Sequence, residues 1–407
     1  MADLEYSLEK HLPFIGQTGY QMSLSLEKPT SIPTPLPKLK KEDDRVGYWF
    51  APAVIQPNNF VHKSLSNWSF NIAVGCSHAC KFCYVPSAST IKQGPKLREY
   101  GVQDADLEWG DYVLLRPWEE DKFLASLRAA ENVPLNALKA DGNRAVMFCT
   151  TTDAYQAIRH PNAQRQKELT VACRTMVRRA LELIRDQSTL NVRIMTRSPM
   201  ARLDFDLFKT FGHRLTFGMS LPTLRNDLAK VYEPRAPAPT QRLATLRAAR
   251  EAGLHVYVAM APTYPECDEA DLRATLTAVA DLDPITVFHE PINIRAENIA
   301  RIEAEASHLN IRLKTEVFSS RDSWQEYALG ALKSMWTISS ELEIRDRVHL
   351  WPDKALGSQK TVSSMPDPVA YQRWLSARWS RISEWPKPAS SKPSGLREMG
   401  AKVTKSD

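Results

Sequence analysis

Six short apolar runs alternate with helical patterns between residues 68 and 290, and this alternation constrains the fold more than any other feature. Strands that are apolar nearly throughout and joined by helices, such as the patterns at 166–186 and 240–253, are typical of a parallel sheet buried on both faces. Six such units predict an α/β fold, a partial (β/α)6 TIM-type barrel with its chemistry at the C-terminal ends of the strands. The predicted strands are WSFNIAV (68–74), AVMFCTT (145–151), NVRIMTR (191–197), RLTFGMS (214–220), HVYVAMA (255–261) and ITVFHE (285–290).

The flanking sequences differ in composition from the part that carries these runs. We predict an N-terminal extension at residues 1–60, which contains a proline-rich stretch, and a barrel domain at 61–300. A helical C-terminal region is predicted at 301–385. Residues 386–407 are poor in large apolar side chains, so we expect a disordered tail there.

Composition gives only broad limits on function. Apolar residues make up 43% of the chain, and the formal net charge of +6 permits a nucleic-acid partner without requiring one. The N-terminal residues lack the apolar core of a signal peptide, and no run approaches the roughly 18 to 20 apolar residues that span a bilayer. We therefore expect a cytoplasmic protein without a membrane partner, in which clustered cysteines bind metal rather than form disulfides.

Half of the six cysteines lie in the stretch GCSHACKFCYVP, directly after the first predicted strand. Cys76, Cys80 and Cys83 have the spacing C-x3-C-x2-C. A structural zinc site needs four ligands, and no second C-x2-C pair follows, although His78 inside the loop could supply a fourth. Three thiolates suit a [4Fe–4S] cluster better, because one iron stays open. That iron could bind the amine and carboxylate of S-adenosylmethionine, whose cleavage would give a 5′-deoxyadenosyl radical.

The same stretch resembles the C-x3-C-x-aromatic-C signature of radical S-adenosylmethionine (radical SAM) enzymes, with Phe82 in the aromatic position. Further similarity identifies the spore photoproduct lyase-like branch of that class. The resemblance implies a partial barrel, a [4Fe–4S] cluster, S-adenosylmethionine, and a reducing electron donor of the flavodoxin or ferredoxin type. It is carried by CTTTDAYQ (149–156), IMTRSPMARLDFDLF (194–208), MSLPT (219–223), YEPRAPAPTQRLATLRAAREAGLHV (232–256) and AMAPTYP directly after it.

The resemblance also implies roles for individual residues. Cys76, Cys80 and Cys83 correspond to the cluster ligands. Thr152 stands where the branch has a serine that contacts the nucleoside cofactor, Arg197 replaces a lysine near the cofactor's carboxylate, and Ser220 matches a polar cofactor contact. An arginine could bind that carboxylate with two hydrogen bonds, which a lysine cannot do. The competing interpretation is that Thr152, Arg197 and Ser220 are ordinary polar residues that cap backbone groups at strand ends.

Two departures from the lesion-repairing enzyme of that branch concern catalysis. That enzyme has a hydrogen-donating cysteine in Cys-Thr-Ser-Asp, whereas Cys149 here stands one residue further from the aspartate, in Cys-Thr-Thr-Thr-Asp. Since side chains of a strand alternate between faces, Cys149 is either the donor or a buried small residue. Tyrosines flank the last cluster cysteine in that enzyme; this chain keeps Tyr84 but has Phe82, which removes one hydroxyl from the proposed radical relay.

Three weaker signals lie in the predicted barrel. Glu233 and Arg242 are candidates for an ion pair beside the cofactor. His289 and Glu290 end the sixth strand and precede further polar residues, which suits either substrate binding or helix capping. Cys267 precedes a helix N-terminus, whose dipole can lower the pKa of a thiol, so it is a second candidate donor.

Residues 371–385 interleave arginine with tryptophan. Such a mixture can stack on nucleic acid and neutralise it, but Tyr371, Trp374, Leu375 and Ile382 also fit one helical stripe. The stripe favours a helix that packs on the barrel.

The sequence thus predicts a radical enzyme that abstracts hydrogen from an unidentified substrate. A lyase or repair-type reaction on nucleic acid is the leading specific hypothesis. Modification of a small metabolite or a peptide is the close alternative. A hypothesis of another class is a metal-bound nucleic-acid-binding protein without radical chemistry.

Overall fold

The structure, a computed structural model, describes residues 45–58, 65–379 and 381–388. Most of the predicted N-terminal extension and of the predicted tail lies outside these residues. The described strands are β1 (Val46–Tyr48), β2 (Ile55–Pro57), β3 (Trp68–Phe70), β4 (Ala73–Gly75), β5 (Val113–Leu115), β6 (Ala145–Phe148), β7 (Asn191–Thr196), β8 (Leu215–Ser220), β9 (His255–Thr263), β10 (Thr286–Pro291) and β11 (Val348–Leu350).

An eight-stranded sheet forms the centre of the molecule, in the order β11-β10-β9-β8-β7-β6-β3-β2. Each of the six predicted strands contributes to it, and these six lie side by side, parallel and in sequence order. β2 adds an antiparallel edge and β11 a parallel one. The predicted α/β partial barrel is therefore confirmed, with a further strand supplied by the C-terminal region.

The first predicted strand, 68–74, is interrupted. β3 joins the main sheet, whereas β4 pairs with β5 in a separate three-stranded sheet of order β1-β5-β4. Between them, Asn71 accepts a hydrogen bond from the amide of Thr151 at 2.9 Å, and the carbonyl of Ile72 accepts one from the amide of Arg116 at 2.7 Å. Both halves of the run are apolar, so the periodicity could not reveal the break.

Helices follow most of the parallel strands, as in a (β/α) unit. The predicted helices at 166–186 and 240–253 are confirmed with shifted ends. The described helices are α1 (Val85–Ala88), α2 (Gly94–Arg98), α3 (Glu120–Glu131), α4 (Ala163–Gln187), α5 (Phe205–Lys209), α6 (Asn226–Tyr232), α7 (Pro239–Glu251), α8 (Glu269–Ala280), α9 (Asn298–His308), α10 (Arg321–Glu341), α11 (Gln359–Ser363) and α12 (Pro368–Trp379).

Alternate residues of the parallel strands pack into two separate apolar clusters. Val192 and Ile194 of β7 belong to the main core, which also contains the buried residues of the surrounding helices. Tyr257 of β9 and Phe288 of β10 belong to a smaller cluster on the other, inner face of the sheet. The fully buried Arg193 lies on this inner face, with its guanidinium 5.0 Å from the ring centre of Tyr257. Period-2 alternation therefore separates the two faces.

The C-terminal segment 381–388 crosses the N-terminal ends of the strands. Trp385 donates a hydrogen bond to the carbonyl of His213, just before β8, and its ring lies 5.0 Å from the guanidinium of Arg193. Glu384 accepts a hydrogen bond from Thr286, the first residue of β10. This segment therefore covers the end of the sheet opposite to the predicted chemistry. None of the helices in the described ranges is long and apolar enough to cross a membrane.

Candidate functional site

The cysteine loop, residues 76–83, leaves β4 at a backbone position that requires glycine. Gly75 has φ of +91°, and a Cβ added there would lie 2.1 Å from the carbonyl oxygen of Tyr112. Ala79 inside the loop is also left-handed, with φ of 52°. It packs against Gly110, where a Cβ would lie 2.3 Å from the Ala79 side chain. Two glycines thus allow the loop to fold tightly against the small sheet.

The loop carries three free thiols. Cys76 and Cys80 are buried and Cys83 is half-buried. Burial raises the pKa of the Cys80 thiol to about 12, although the nearby Arg197 opposes the shift. Binding of a metal removes the proton from such thiols. A donor set of three thiols on one loop fits the iron–sulfur cluster that the sequence predicts.

Among the residues of the described ranges, no three His, Cys, Asp or Glu side chains are arranged around a point that could hold a single metal ion. A mononuclear zinc site requires such convergence, because all its ligands bind one ion. In a cubane cluster each thiolate binds a different iron. The described ranges therefore contain no preformed site for a single metal ion.

His78 contacts a carboxylate in the loop that follows β6. Its Nε2 lies 3.1 Å from Oδ2 of Asp153. Asp153 also accepts hydrogen bonds from the Thr196 hydroxyl at 2.6 Å and from the amide of Arg197 at 2.8 Å. Burial raises the pKa of Asp153, but His78 and the hydrogen bonds outweigh this effect and lower the pKa to about 2. His78 therefore ties the cysteine loop to the ends of β6 and β7, and it is not placed as a fourth metal ligand.

Thr152 and Gln156 hold the other side of the cysteine loop. The Thr152 hydroxyl donates a 2.6 Å hydrogen bond to the carbonyl of Gly75 and accepts one from the Gln156 amide group. Gln156 Oε1 accepts a hydrogen bond from the amide of Ser77 at 2.7 Å. The structure thus brings Thr152, a predicted cofactor contact, to the base of the loop, where its hydroxyl binds backbone. Gln156 was not predicted.

Arg197 lies above the cysteine loop in a buried charge cluster. Its Nε donates a 2.7 Å hydrogen bond to Oε1 of Glu233, whose other oxygen contacts Arg242. The predicted pair of Glu233 and Arg242 is confirmed, and Arg197 is its unpredicted third member. The Arg197 guanidinium lies 5.5 Å from the ring centre of Phe82. Within the described ranges, the two terminal nitrogens of Arg197 donate no hydrogen bond.

Phe82, Tyr84 and Ser220 have different surroundings. Phe82 is buried against Tyr264, with ring centres 5.8 Å apart. Tyr84 is 37% exposed and precedes the first residue of α1. Ser220 is buried, and its hydroxyl donates to the carbonyl of Ala261 at 3.3 Å. The backbone-capping interpretation therefore describes Ser220 well.

Cys149 follows β6 in a left-handed conformation, with φ of 63°. It is buried, and its Sγ donates to the carbonyl of Phe70 at 3.5 Å. Burial raises the pKa of this thiol. A left-handed backbone is unfavourable for a residue with a Cβ, and such strain concentrates at functional sites.

The weaker candidates lie at and after the ends of β9 and β10. His289 is fully buried beside Thr263, 3.1 Å from Nε2 to Oγ1, and burial lowers its pKa to about 3. Asn293 donates to Glu290 at 2.6 Å within the loop that leads to α9. Cys267 is buried just before α8, burial raises the pKa of its thiol, and its role as a second candidate donor stays a prediction.

The segment 371–385 is helical only in its first part. α12 ends at Trp379, and Leu375 is its buried residue. Ile382 lies outside this helix and is 49% exposed, so the predicted stripe is wrong at that position. The arginine and tryptophan side chains also contact one another, since the Arg378 guanidinium lies 4.6 Å from the ring centre of Trp374.

Arg301 of α9 is a buried residue that the sequence did not single out. Its guanidinium donates hydrogen bonds to the carbonyls of Lys81 and Cys83 in the cysteine loop. Backbone carbonyls leave no trace in a sequence pattern, so no motif could have indicated these contacts.

Known proteins resemble this chain in sequence and in fold. The family described as the radical SAM superfamily matches residues 70–279. An uncharacterized protein of Acidianus two-tailed virus is 30% identical over 270 residues, which cover 63% of this chain and 80% of that protein. An uncharacterized protein of Methanocaldococcus jannaschii is 22% identical over 264 residues, 64% of this chain and 83% of that protein.

Solved structures of spore photoproduct lyase have a similar fold. The enzyme complexed with dinucleoside spore photoproduct gives a TM-score of 0.52 at 15% identity, over 80% of this chain and 88% of that chain. A Tyr-to-Phe mutant of the same enzyme gives 0.52 at 13% identity, over 81% and 88%.

Proposed function

This chain belongs to the radical SAM superfamily, with the fold of its spore photoproduct lyase-like branch, and from that premise we propose its reaction. It is an enzyme that uses a [4Fe–4S] cluster to cleave S-adenosylmethionine and abstract hydrogen from a substrate still to be identified. The observation that carries the proposal is the loop of three free thiols, two of them buried, beneath the partly unpaired guanidinium of Arg197.

In this proposal Cys76, Cys80 and Cys83 hold the cluster. When bound, the cluster and S-adenosylmethionine together supply a 5′-deoxyadenosyl radical. Arg197 would bind the carboxylate of S-adenosylmethionine through its two terminal nitrogens, and Glu233 fixes the guanidinium through Nε at 2.7 Å. A bidentate contact of this kind orients a carboxylate as well as binding it.

The other predicted site residues shape this pocket. Thr152 fixes the base of the loop through Gly75, and Ser220 maintains the end of β8 through its bond to Ala261. Phe82 places its ring 5.5 Å from the Arg197 guanidinium and is the proposed aromatic contact of the cofactor. Cys149 and the half-exposed Tyr84 are the proposed hydrogen-returning groups.

The substrate that we favour is a nucleic acid modified in a lyase or repair-type reaction. Two observations support this choice: the fold of spore photoproduct lyase complexed with a dinucleoside, and the formal charge of +6. A small metabolite or a peptide is the competing substrate class. The reaction requires an electron donor of the flavodoxin or ferredoxin type. We place the protein in the cytoplasm, where thiols stay reduced.

We also propose the domain organisation given by the sequence, with an extension at 1–60, the barrel at 61–300, a C-terminal region at 301–385 and a tail at 386–407. The C-terminal region extends the main sheet by one edge strand, β11, which pairs with β10.

Anaerobic reconstitution tests the radical chemistry. The parent protein should bind about four irons per chain and release 5′-deoxyadenosine when it is reduced with S-adenosylmethionine. Cys80→Ala should lose most of the iron and all of the product. Cys173→Ala is the matched control, since Cys173 is buried in α4 and should not affect iron uptake. Bound zinc without 5′-deoxyadenosine would contradict the proposal and favour the non-catalytic metal protein.

A salt titration tests the nucleic-acid substrate separately. Binding of a DNA or RNA oligonucleotide should weaken steeply as salt rises, because phosphate contacts displace counterions. Absent or salt-independent binding in a protein that cleaves S-adenosylmethionine would favour a small metabolite or a peptide.

A further inference from the structure

Helix α9 contacts the cysteine loop from outside the region that the radical SAM family matches. Two of its side chains, four residues apart and therefore on one face, reach the loop. Glu305 forms an ion pair with Lys81, 2.9 Å from Oε2 to Nζ. Arg301 reaches the loop's backbone. The C-terminal part of the molecule thus holds the loop that carries the three thiols.

All three nitrogens of the Arg301 guanidinium are used in this contact. Nε donates to the carbonyl of Lys81 at 3.0 Å, and Nη2 donates to the carbonyl of Cys83 at 2.6 Å. Nη1 donates to the carbonyl of Asp106 at 3.0 Å and also contacts the Asp106 carboxylate. Both Arg301 and Asp106 are buried, at 5% and 6% exposure. A planar fork of donors can bridge several carbonyls in fixed positions, whereas an ammonium cannot.

The position of this charge matters because Cys83 is a proposed cluster ligand. A buried positive charge acts strongly on its surroundings, since little water screens it. The reduction potential of an iron–sulfur cluster depends on the net charge and the hydrogen bonds around it. A cation bound to the backbone of a ligand cysteine stabilises the more negative, reduced cluster. Asp106, on the same guanidinium, offsets part of that effect.

We propose that Arg301 is a positioning residue that fixes the cysteine loop and raises the reduction potential of its cluster, with Asp106 as the opposing charge. The inference rests on the proposed function, because it requires a cluster on Cys76, Cys80 and Cys83. Arg301 lies on α9, outside the barrel strands, and in this proposal it affects the electron-transfer step.

Two substitutions should move the potential in opposite directions. Arg301→Gln removes the cation and leaves Asp106, so the midpoint potential should become more negative than that of the parent. Asp106→Asn leaves the cation without its counter-charge, so the potential should become less negative. The measurement is a redox titration of the reconstituted holoprotein followed by electron paramagnetic resonance, together with iron content. A merely structural role would not give shifts of opposite sign.

Arg301→Lys separates charge from geometry. It keeps the cation, so its potential should stay closer to the parent's than that of Arg301→Gln, but it loses the fork and should bind less iron. This variant decides the question if Arg301→Gln does not fold. Arg273→Gln, on the exposed face of α8, is the control and should match the parent in both measurements.

The outcomes distinguish the two proposals. If the parent binds no cluster, the proposed function fails and this inference fails with it. If the parent binds a cluster and the Arg301 and Asp106 variants keep its potential and iron content, only the role of Arg301 is overturned.

Discussion

Arg197 donates a 2.7 Å hydrogen bond from Nε to Oε1 of Glu233, and the Glu233 side chain has no exposure to solvent. Arg242 contacts the other carboxylate oxygen and is equally buried. Burial raises the pKa of Glu233, but the two guanidiniums outweigh it and hold the pKa below its usual value. One carboxylate therefore fixes two arginines, one of which faces the proposed cofactor pocket.

Removing the carboxylate of Glu233 should lower the free energy of unfolding substantially. Glu233→Gln leaves the fully buried Arg242 and the partly buried Arg197 without a counter-charge, and breaking a buried pair costs about 3–5 kcal/mol in the free energy of unfolding. Urea denaturation followed by circular dichroism measures the loss. Asp227→Asn, which breaks an exposed pair with Arg225, should cost less than about 1 kcal/mol. Equal stabilities of the two variants would contradict the buried charge cluster.

Gly75 should not tolerate a side chain. Gly75→Ala combines a left-handed backbone with a contact of 2.1 Å to the Tyr112 carbonyl, so it should cost about 3 kcal/mol and reduce iron uptake. Gly253→Ala is the matched control, because Gly253 has φ of +80° but no atom within 4 Å of the added Cβ. It should cost only about 1–2 kcal/mol and leave iron content unchanged. If both variants lost iron, the reduced iron uptake of Gly75→Ala could not be attributed to the cysteine loop.

An alanine variant is usually more stable than a glycine variant. At Cys149 the strained backbone should reverse this order of stability. Since φ is 63° there, Cys149→Gly relieves strain of about 1–2 kcal/mol and should be more stable than Cys149→Ala. At Cys173, inside α4, glycine should be less stable than alanine by about 1 kcal/mol. Denaturation of the four apoproteins compares the two sites directly. The same order at both positions would show that Cys149 is not strained.

Stability should depend on Glu384 in acid. Burial raises the pKa of Glu384, but the hydrogen bond to His349 and the other contacts outweigh it and lower the pKa to about 2. A lowered pKa stabilises the fold fully above the unfolded value of about 4.3, and this contribution disappears as the pH falls toward 2. After allowance for solvent screening of a side chain that is 41% exposed, the contribution is about 1 kcal/mol.

Glu384→Gln should therefore destabilise the protein by that amount at pH 7 and hardly at all once the pH has fallen to 2 or below. The difference is read from urea unfolding curves across this range. Glu251→Gln, on the exposed side of α7, should follow the parent at every pH. If the free energy of unfolding of Glu384→Gln changed with pH in parallel with that of the parent, Glu384 would not contribute to the acid sensitivity.

The sequence predicted the architecture well because parallel strands must be apolar on both faces. All six runs became neighbouring strands, and the cysteine loop lies at their C-terminal ends, where His78 meets Asp153. The break between β3 and β4 was missed, since both halves are apolar. β11 was missed because a three-residue strand, VHL, is too short to show a period.

The site was less predictable than the fold. Cysteine spacing identified the loop, but the supports of the loop are tertiary contacts between distant parts of the chain. Arg301 binds the carbonyl of Cys83 across a separation of 218 residues. Such a contact uses a backbone group that every residue possesses, and only the folded chain brings the partners together.

The C-terminal segment has a consequence for biosynthesis. Ser383 accepts a hydrogen bond from Asn143, 240 positions earlier, and Trp385 covers the buried charge of Arg193. Translation reaches Arg193 long before Trp385, so the nascent barrel lacks this third ring beside the guanidinium, next to Tyr257 and Phe288, until residue 385 has been translated. Contacts this distant in sequence form late, and the final native state of this enzyme therefore arises after elongation has passed that tryptophan.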